Sequence, residues 1–383
     1  MLKSRGFWIG IAVSVVLVGL FVRSTDFGEV RTAFEDVNWL LALASLPVYF
    51  LGLWMRTVRW QYLLRPVKRV AAIRLYPVVI IGLMANNLIP ARAGELARAY
   101  VLGQRERISK TTTLGTIAVD RLFDGLTLVP MMLIVVAFAS SDANFDVGFG
   151  SWTVSLNFEG LGVFMAIVFG LALIFLSYLA LSDHGRTMLH RIVHRFTPPP
   201  LKPNIERLLH SFFEGLHALR NPADMAVALV MSVVSWTLEA TMYFMVARAF
   251  GIDEPFYVFL LLTAAANLVI AVVATQGGVG PFELVVSRTV IAFAGADNIE
   301  GVANAYAIGL HALLLFPITA LGLYLMWSMK LTFGDMLKSS NYDEEDALLA
   351  ASGSTIATQA APNDAGSRRA VSSKPAVEGS SGK

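Results

Sequence analysis

Cysteine is absent from all 383 residues. Its absence removes disulfides, thiolate nucleophiles, iron–sulfur clusters and cysteine zinc sites, and it leaves the redox compartment undetermined. Charge is scarce too: 15% of residues are Asp, Glu, Lys or Arg, where a soluble domain carries about a quarter. A net charge of +2 is too small to point to nucleic acid or to an acidic partner, so nucleic-acid binding is not expected. There is no glycine–lysine nucleotide loop. Five of the six histidines (His184, His190, His194, His210 and His217) share one polar stretch without a metal-ligand spacing, which reads as a solvated cytoplasmic loop. No cofactor or metal is expected. What the chain has in abundance is apolar surface, 56% of its residues with a mean hydropathy of +0.62, and this makes it an integral membrane protein.

Apolar runs long enough for a hydrocarbon core of about 30 Å predict six full spans, near residues 7–22, 39–55, 112–138, 159–181, 224–249 and 303–328. The first follows "MLKSRG" but has no small-x-small cleavage site, so an uncleaved anchor is expected. Arg56, Arg59, Arg65, Lys68, Arg69 and Arg74 follow the second span, and Arg186, Arg191, Arg195, Lys202, Arg207 and Arg220 follow the fourth. Both stretches are therefore assigned to the cytoplasm. The opposite loops "SSDANFDVGFGSWTVSLN" and "FGIDEP" hold no lysine or arginine, which places both termini inside a multi-pass protein of the plasma membrane. Residues 1–338 form the transmembrane domain in this reading. The Ser-, Ala- and Gly-rich tail 339–383 has too little apolar surface to fold and is expected to be disordered.

Two apolar stretches break the pattern. Residues 75–90 begin and end beside basic segments, and residues 256–295 begin and end beside acidic ones. Each has an apolar leg, a breaker (Asn87 to Pro90, or Gly277, Gly278, Gly280 and Pro281), a glutamate (Glu95 or Glu283), and a second leg bearing an arginine (Arg98 or Arg288). They read as re-entrant broken-helix hairpins of opposite orientation, the mark of an inverted repeat. The expected fold is thus all-α, a polytopic helix bundle of about six spans plus two such hairpins.

Charges at bilayer depth mark the candidate site. "AVDRLFDGL" sets Asp120 and Asp124 on one helix face beside Arg121, either as a self-neutralising cluster locking helices together or as a polar cavity wall. Each such charge costs about 2.5–3.5 kcal/mol to insert, which favours a water- or ligand-filled space. In "NNLIPARAGELARAYVL", Pro90 suits a first helical turn. Arg92 beside that helix amino end suits a phosphate, although an Arg92–Glu95 pair in an interfacial turn fits the same spacing. Glu239 in "SWTLEATMYF" adds a mid-span carboxylate. With Glu95, Asp120, Asp124 and Glu283 it would attract a cationic headgroup or protons. His311 is expected to be a satisfied packing histidine.

Three of these stretches, "NNLIPARAGELARAYVL", "AVDRLFDGL" and "TQGGVGPFE", resemble the motifs of the flippase-like transmembrane region of the lysylphosphatidylglycerol synthase family. The likeness runs from about residue 7 to 330, with the motifs in the family's order. It implies a lipid-handling protein whose substrate-binding positions are Asn87, Pro90, Arg92, Gly94, Glu95, Asp120, Arg121, Asp124, Gly277, Gly278, Gly280 and Glu283, to which the mid-span reading adds Glu239. Ala91 and Ala93 add no polar group beside Arg92. Two-part members continue into a soluble aminoacyltransferase domain, and here only the tail is expected to follow, so an enzyme is less favoured than a translocator of a membrane phospholipid or lipid-linked substrate. An intramembrane lipid-phosphate transferase or hydrolase, or a partner of an envelope lipid-synthesis enzyme, are the alternatives. The orientation predicts that a single cysteine placed at Asn144 reacts with an impermeant maleimide in intact cells; labelling only after permeabilisation would invert it.

Overall fold

The computed structural model describes residues 5–23, 25–89, 94–139, 144–149, 152–197, 202–273, 275–294 and 299–332. The chain divides into Met1–Met336 and Leu337–Lys383, and the second unit, with the expectation made for the tail, lies outside the described residues.

Helices coincide with all six expected runs: α1 (Arg5–Arg23), α3 (Trp39–Leu64), α6 (Lys110–Ala139), α7 (Phe158–Leu181), α10 (Pro222–Ala249) and α13 (Glu300–Ser328). Between them lie α2 (Phe27–Glu35), α4 (Ala72–Leu88), α5 (Gly94–Glu106), α8 (Asp183–Phe196), α9 (Lys202–Leu216), α11 (Phe256–Val272) and α12 (Pro281–Ala294). Among the described residues four helical segments are long and apolar enough to cross a membrane, Trp39–Leu64, Pro222–Ala249, Gln276–Ala294 and Glu300–Ser328, and a bent pair at 166–195 makes a fifth. Large apolar side chains such as Leu40, Leu171, Ile174, Phe316 and Trp327 are exposed, a surface suited to lipid.

Two details depart from the expectation. The loop after α6 contains an antiparallel hairpin, β1 (Asn144–Phe149) and β2 (Trp152–Asn157), in the register Phe149↔Trp152 to Asn144↔Asn157. Its apolar residues alternate, a period-two signal that a search for long apolar runs passes over. The polar stretch after α7 is not a plain loop: it forms α8, α9 and a 3₁₀ turn at His217–Arg220, and α9 packs on α6 where Gly115 and Gly215 let the backbones touch.

The bundle is an inverted repeat of α3–α6 and α10–α13. α3 packs along α10; α4 packs on α13 as α11 packs on α6; α4 with α5, and α11 with α12, form hairpins. The central pair is antiparallel, since Gly52 lies by Leu238, Arg59 by Ser232 and Arg65 by Asp224. α4 and α11 each have 17 residues, about 25 Å at 1.5 Å per residue, short of a full crossing. Each stops where its hairpin turns.

Close approach of the hairpin legs depends on missing side chains. A Cβ on Gly94 would lie 2.2 Å from the Gly82 carbonyl oxygen, and one on Gly82 would lie 2.3 Å from Arg98 Cγ. Gly94→Ala should therefore destabilise the bundle by about 1–3 kcal/mol through overpacking against backbone, read as a lower melting temperature in detergent. A melt indistinguishable from wild type would contradict this packing.

Candidate functional site

The first break is held by amides. Asn86 Oδ1 accepts the Gly94 N–H at 2.8 Å, tying the end of α4 to the start of α5, and Asn87 Nδ2 donates to Thr319 Oγ1 on α13 at 3.2 Å. Pro90 and Arg92 lie outside the described residues.

The second break is a glycine turn. Gly277, Gly278 and Gly280 have φ of 62°, 79° and 99°, values that L side chains rarely adopt, which accounts for three glycines in four residues. The Gly280 N–H donates to Glu283 Oε2 at 2.7 Å. The other Glu283 oxygen lies 2.6 Å from His311 Nδ1, and His311 Nε2 lies 2.9 Å from the Gly277 carbonyl oxygen. Phe282 stacks on the imidazole, with ring centroids 4.3 Å apart. The two breaks meet directly: Gln276 Nε2 donates to the Leu88 carbonyl at 2.8 Å.

Beneath this junction lies a buried ionic network. Arg59, only 1% exposed, donates to Asp120 Oδ1 through Nε and to Asp124 Oδ1 and Ser232 Oγ through Nη1, each at 2.8 Å. Arg98 reaches the other Asp120 oxygen at 3.2 Å and lies over the Trp60 ring at 4.1 Å. Arg121 pairs with Asp124 at 3.1 Å and with Glu95 at 3.5 Å. Across the axis, Arg56 pairs with Glu239 at 2.6 Å, lies over Trp236, and donates to Ser235 Oγ, while Asn267 donates to the second Glu239 oxygen at 3.1 Å.

A cavity of about 420 Å³ opens among these elements. Of the candidates, Asn87, Glu95, Arg121, Asp124, Glu239, Gly277 and Gly278 line it. Asp120, Gly94, Gly280 and Glu283 sit behind the wall: Asp120 in the buried network, the glycines in the breaks, and Glu283 on His311. Both readings of "AVDRLFDGL" therefore describe part of it, Asp120 locking helices and Asp124 facing the cavity.

Arg56 and Arg59 follow an apolar run, the position of a cytoplasmic loop in the reading above, but α3 continues to Leu64 and turns both inward. The signal was the resumption "WQYLL" after Arg59, which makes the arginines interruptions of a helix and not its end. His311 has partners on both ring nitrogens, as a packing histidine would, and it also lines the cavity beside the glycine turn. Asn267 and the cavity-lining Tyr49 and Tyr243 gave no motif at all.

Comparison with known proteins places this geometry in context. The model of the family described as "Lysylphosphatidylglycerol synthase TM region" matches residues 7–322. Glycosyltransferase AglD of Haloferax volcanii is 26% identical over 320 residues, 79% of this chain and 51% of that protein, so the chain spans about half its length. A UPF0104 membrane protein of Methanothermobacter thermautotrophicus is 25% identical over 325 residues, covering 82% of this chain and 92% of the relative. Another, from Archaeoglobus fulgidus, is 23% identical over 281 residues, covering 69% and 79%. No solved structure matches.

Removing Arg59 would leave Asp120 and Asp124 without their shared cation in a buried site. Arg59→Ala is expected to cost about 3–5 kcal/mol, seen as a large drop in melting temperature, with Arg59→Lys recovering part of it. A small effect of Arg59→Ala would show that water replaces the guanidinium.

Proposed function

The chain belongs to the family of the lysylphosphatidylglycerol synthase transmembrane region, and from that premise we propose that it receives a phospholipid or other lipid-linked headgroup in the central cavity and moves it between leaflets. The observation that carries the proposal is that the cavity lies where two oppositely oriented broken hairpins meet, the place at which inverted-repeat transporters hold their substrates.

The lining suits an amphiphile. Leu83, Leu128, Ile270, Leu314 and Ile318 supply apolar walls, while Arg56 and Arg121 face Glu95, Asp124 and Glu239. A headgroup with a phosphate and a cationic group could address both signs. Arg121 is the adaptable partner: its side chain is 44% exposed and its 3.5 Å contact with Glu95 is looser than the 2.6 Å Arg56–Glu239 pair. A phosphate competing for that guanidinium gains two parallel hydrogen bonds in exchange for one weak ion pair. Arg92, two residues before Gly94, is assigned to the same phosphate. The plasma membrane, with both termini cytoplasmic, is the proposed setting, and an envelope lipid-synthesis enzyme the proposed source of substrate.

A second reading is an intramembrane transferase acting on a lipid-linked sugar, favoured by the name "Glycosyltransferase" carried by one relative. It would need a base poised at a reacting atom, and Glu95, Asp124 and Glu239 are instead each ion-paired.

Purified protein in phosphatidylglycerol-containing vesicles should accelerate exchange of a trace headgroup- or chain-labelled phosphatidylglycerol between leaflets, followed by dithionite quenching. Arg92→Ala and Arg121→Ala should each remove most of that acceleration, and Arg92→Lys should restore little, because an ammonium lacks the planar two-bond grip. Wild-type rates in both alanine variants would overturn the phosphate assignment.

A further inference from the structure

The two halves of the repeat place a glutamate in the first turn of the second hairpin leg, Glu95 on α5 and Glu283 on α12, and pair it with the helix that follows. In the first half the partner is Arg121 on α6; in the second it is His311 on α13. The first pair carries a permanent cation, since arginine does not titrate in proteins. The second pair is built on an imidazole, the side chain whose ordinary protonation range lies nearest neutrality.

Valence restricts what that second pair can hold. The Gly277 carbonyl only accepts, so the contact from His311 Nε2 at 2.9 Å requires a proton on Nε2. A neutral imidazole then has a bare Nδ1, which would meet a bare Glu283 oxygen at 2.6 Å. Two acceptors do not approach so closely, and one further proton must lie between them, on Nδ1 or on Glu283. Glu283 Oε2 is already engaged by the Gly280 N–H, so that proton sits on the His311 side of the carboxylate. Loss of the shared proton forces a choice. Either Nε2 gives up its proton to bridge Nδ1 and Oε1, which frees the Gly277 carbonyl, or the histidine and glutamate separate. Each route loosens the glycine turn, whose neighbour Gln276 is hydrogen-bonded to Leu88 of the other hairpin.

We infer that Glu283 and His311 form a shared-proton site, and that its release of a proton unlatches the two broken hairpins, coupling headgroup movement to proton movement. The inference rests on the translocator reading above. Among the described residues, the other titratable groups on the same cavity are Tyr49 and Arg56 from α3, Glu95 from α5, Arg121 and Asp124 from α6, and Glu239 and Tyr243 from α10; the lining residues of α4 and α11 supply only amide and apolar side chains. Each of those carboxylates has an arginine partner. His311 is the one histidine among the described residues that line the cavity.

Two measurements test it. In detergent-solubilised protein labelled with ¹⁵N-histidine, with the His311 signals assigned by their loss in His311→Arg, both ring nitrogens should change together in a single event as the pH is raised. In Glu283→Gln that joint event should vanish. In vesicles, labelled phosphatidylglycerol exchange should respond to an imposed pH difference, by up to about tenfold per pH unit for one proton per event. His311→Arg, which copies the fixed cation of the first half and can still pair with Glu283, should abolish that response. A His311 signal that stays in one state as the pH is raised overturns the shared-proton site whether or not lipid moves. A titrating pair in a protein that moves lipid at a rate indifferent to the pH difference overturns the coupling and leaves the translocator reading standing. If no labelled lipid moves under any condition, the translocator reading falls and the coupling falls with it.

Discussion

Arg59 is the charge on which the bundle's interior depends. It lies on the central helix of the first half and donates three hydrogen bonds, to Asp120 and Asp124 of α6 and Ser232 of α10, so one guanidinium joins both halves of the repeat. In a hydrocarbon setting the alternative to such pairing is an isolated buried charge, which costs far more than the pair returns in water. The network therefore need not add net stability to matter: once any one member is present, the others are required. Thr127, donating to Ser232, and Trp60, donating to Thr116, extend the same satisfaction outward, so few polar side chains in the described interior are left without partners.

That constraint explains why the two hairpins can break at depth. Non-helical backbone is tolerated inside a membrane only where protein or water satisfies its freed groups. Here the side chains do it in reciprocal fashion. Asn86 caps the start of α5, Glu283 holds the Gly280 N–H, His311 holds the Gly277 carbonyl, and Gln276 of one break takes the Leu88 carbonyl of the other. Each break is part of the solvent for its counterpart, and the space left between them is the cavity.

Much of the architecture was legible because it rests on one-dimensional signals: apolar runs of bilayer length and paired breakers. The hairpin strands and the helices of the polar stretch were not, since short periods and amphipathic turns carry little hydropathy contrast. The candidate residues taken from motifs lie at or just behind the cavity wherever they are described. The partners that fix their geometry came from elsewhere in the chain. Arg56 and Arg59 were hidden by sitting after an apolar run, where basic residues ordinarily mark a helix end. His311, Asn267 and Tyr243 were hidden because each is a lone residue whose role exists only once α4, α11 and α13 are brought together.

The repeat also shows how similar backbones come to carry different chemistry. Gly94 and Gly82 allow the first hairpin to close by removing bulk, with Asn86 as its cap; the second closes by left-handed glycines, with Glu283 as its cap. A neutral amide at one break leaves Glu95 free to face the cavity and share Arg121. A carboxylate cap at the other draws Glu283 out of the wall and onto His311. The two halves supply similar frames, and the capping residue goes with which glutamate faces the cavity, Glu95, and which is held at the glycine turn, Glu283.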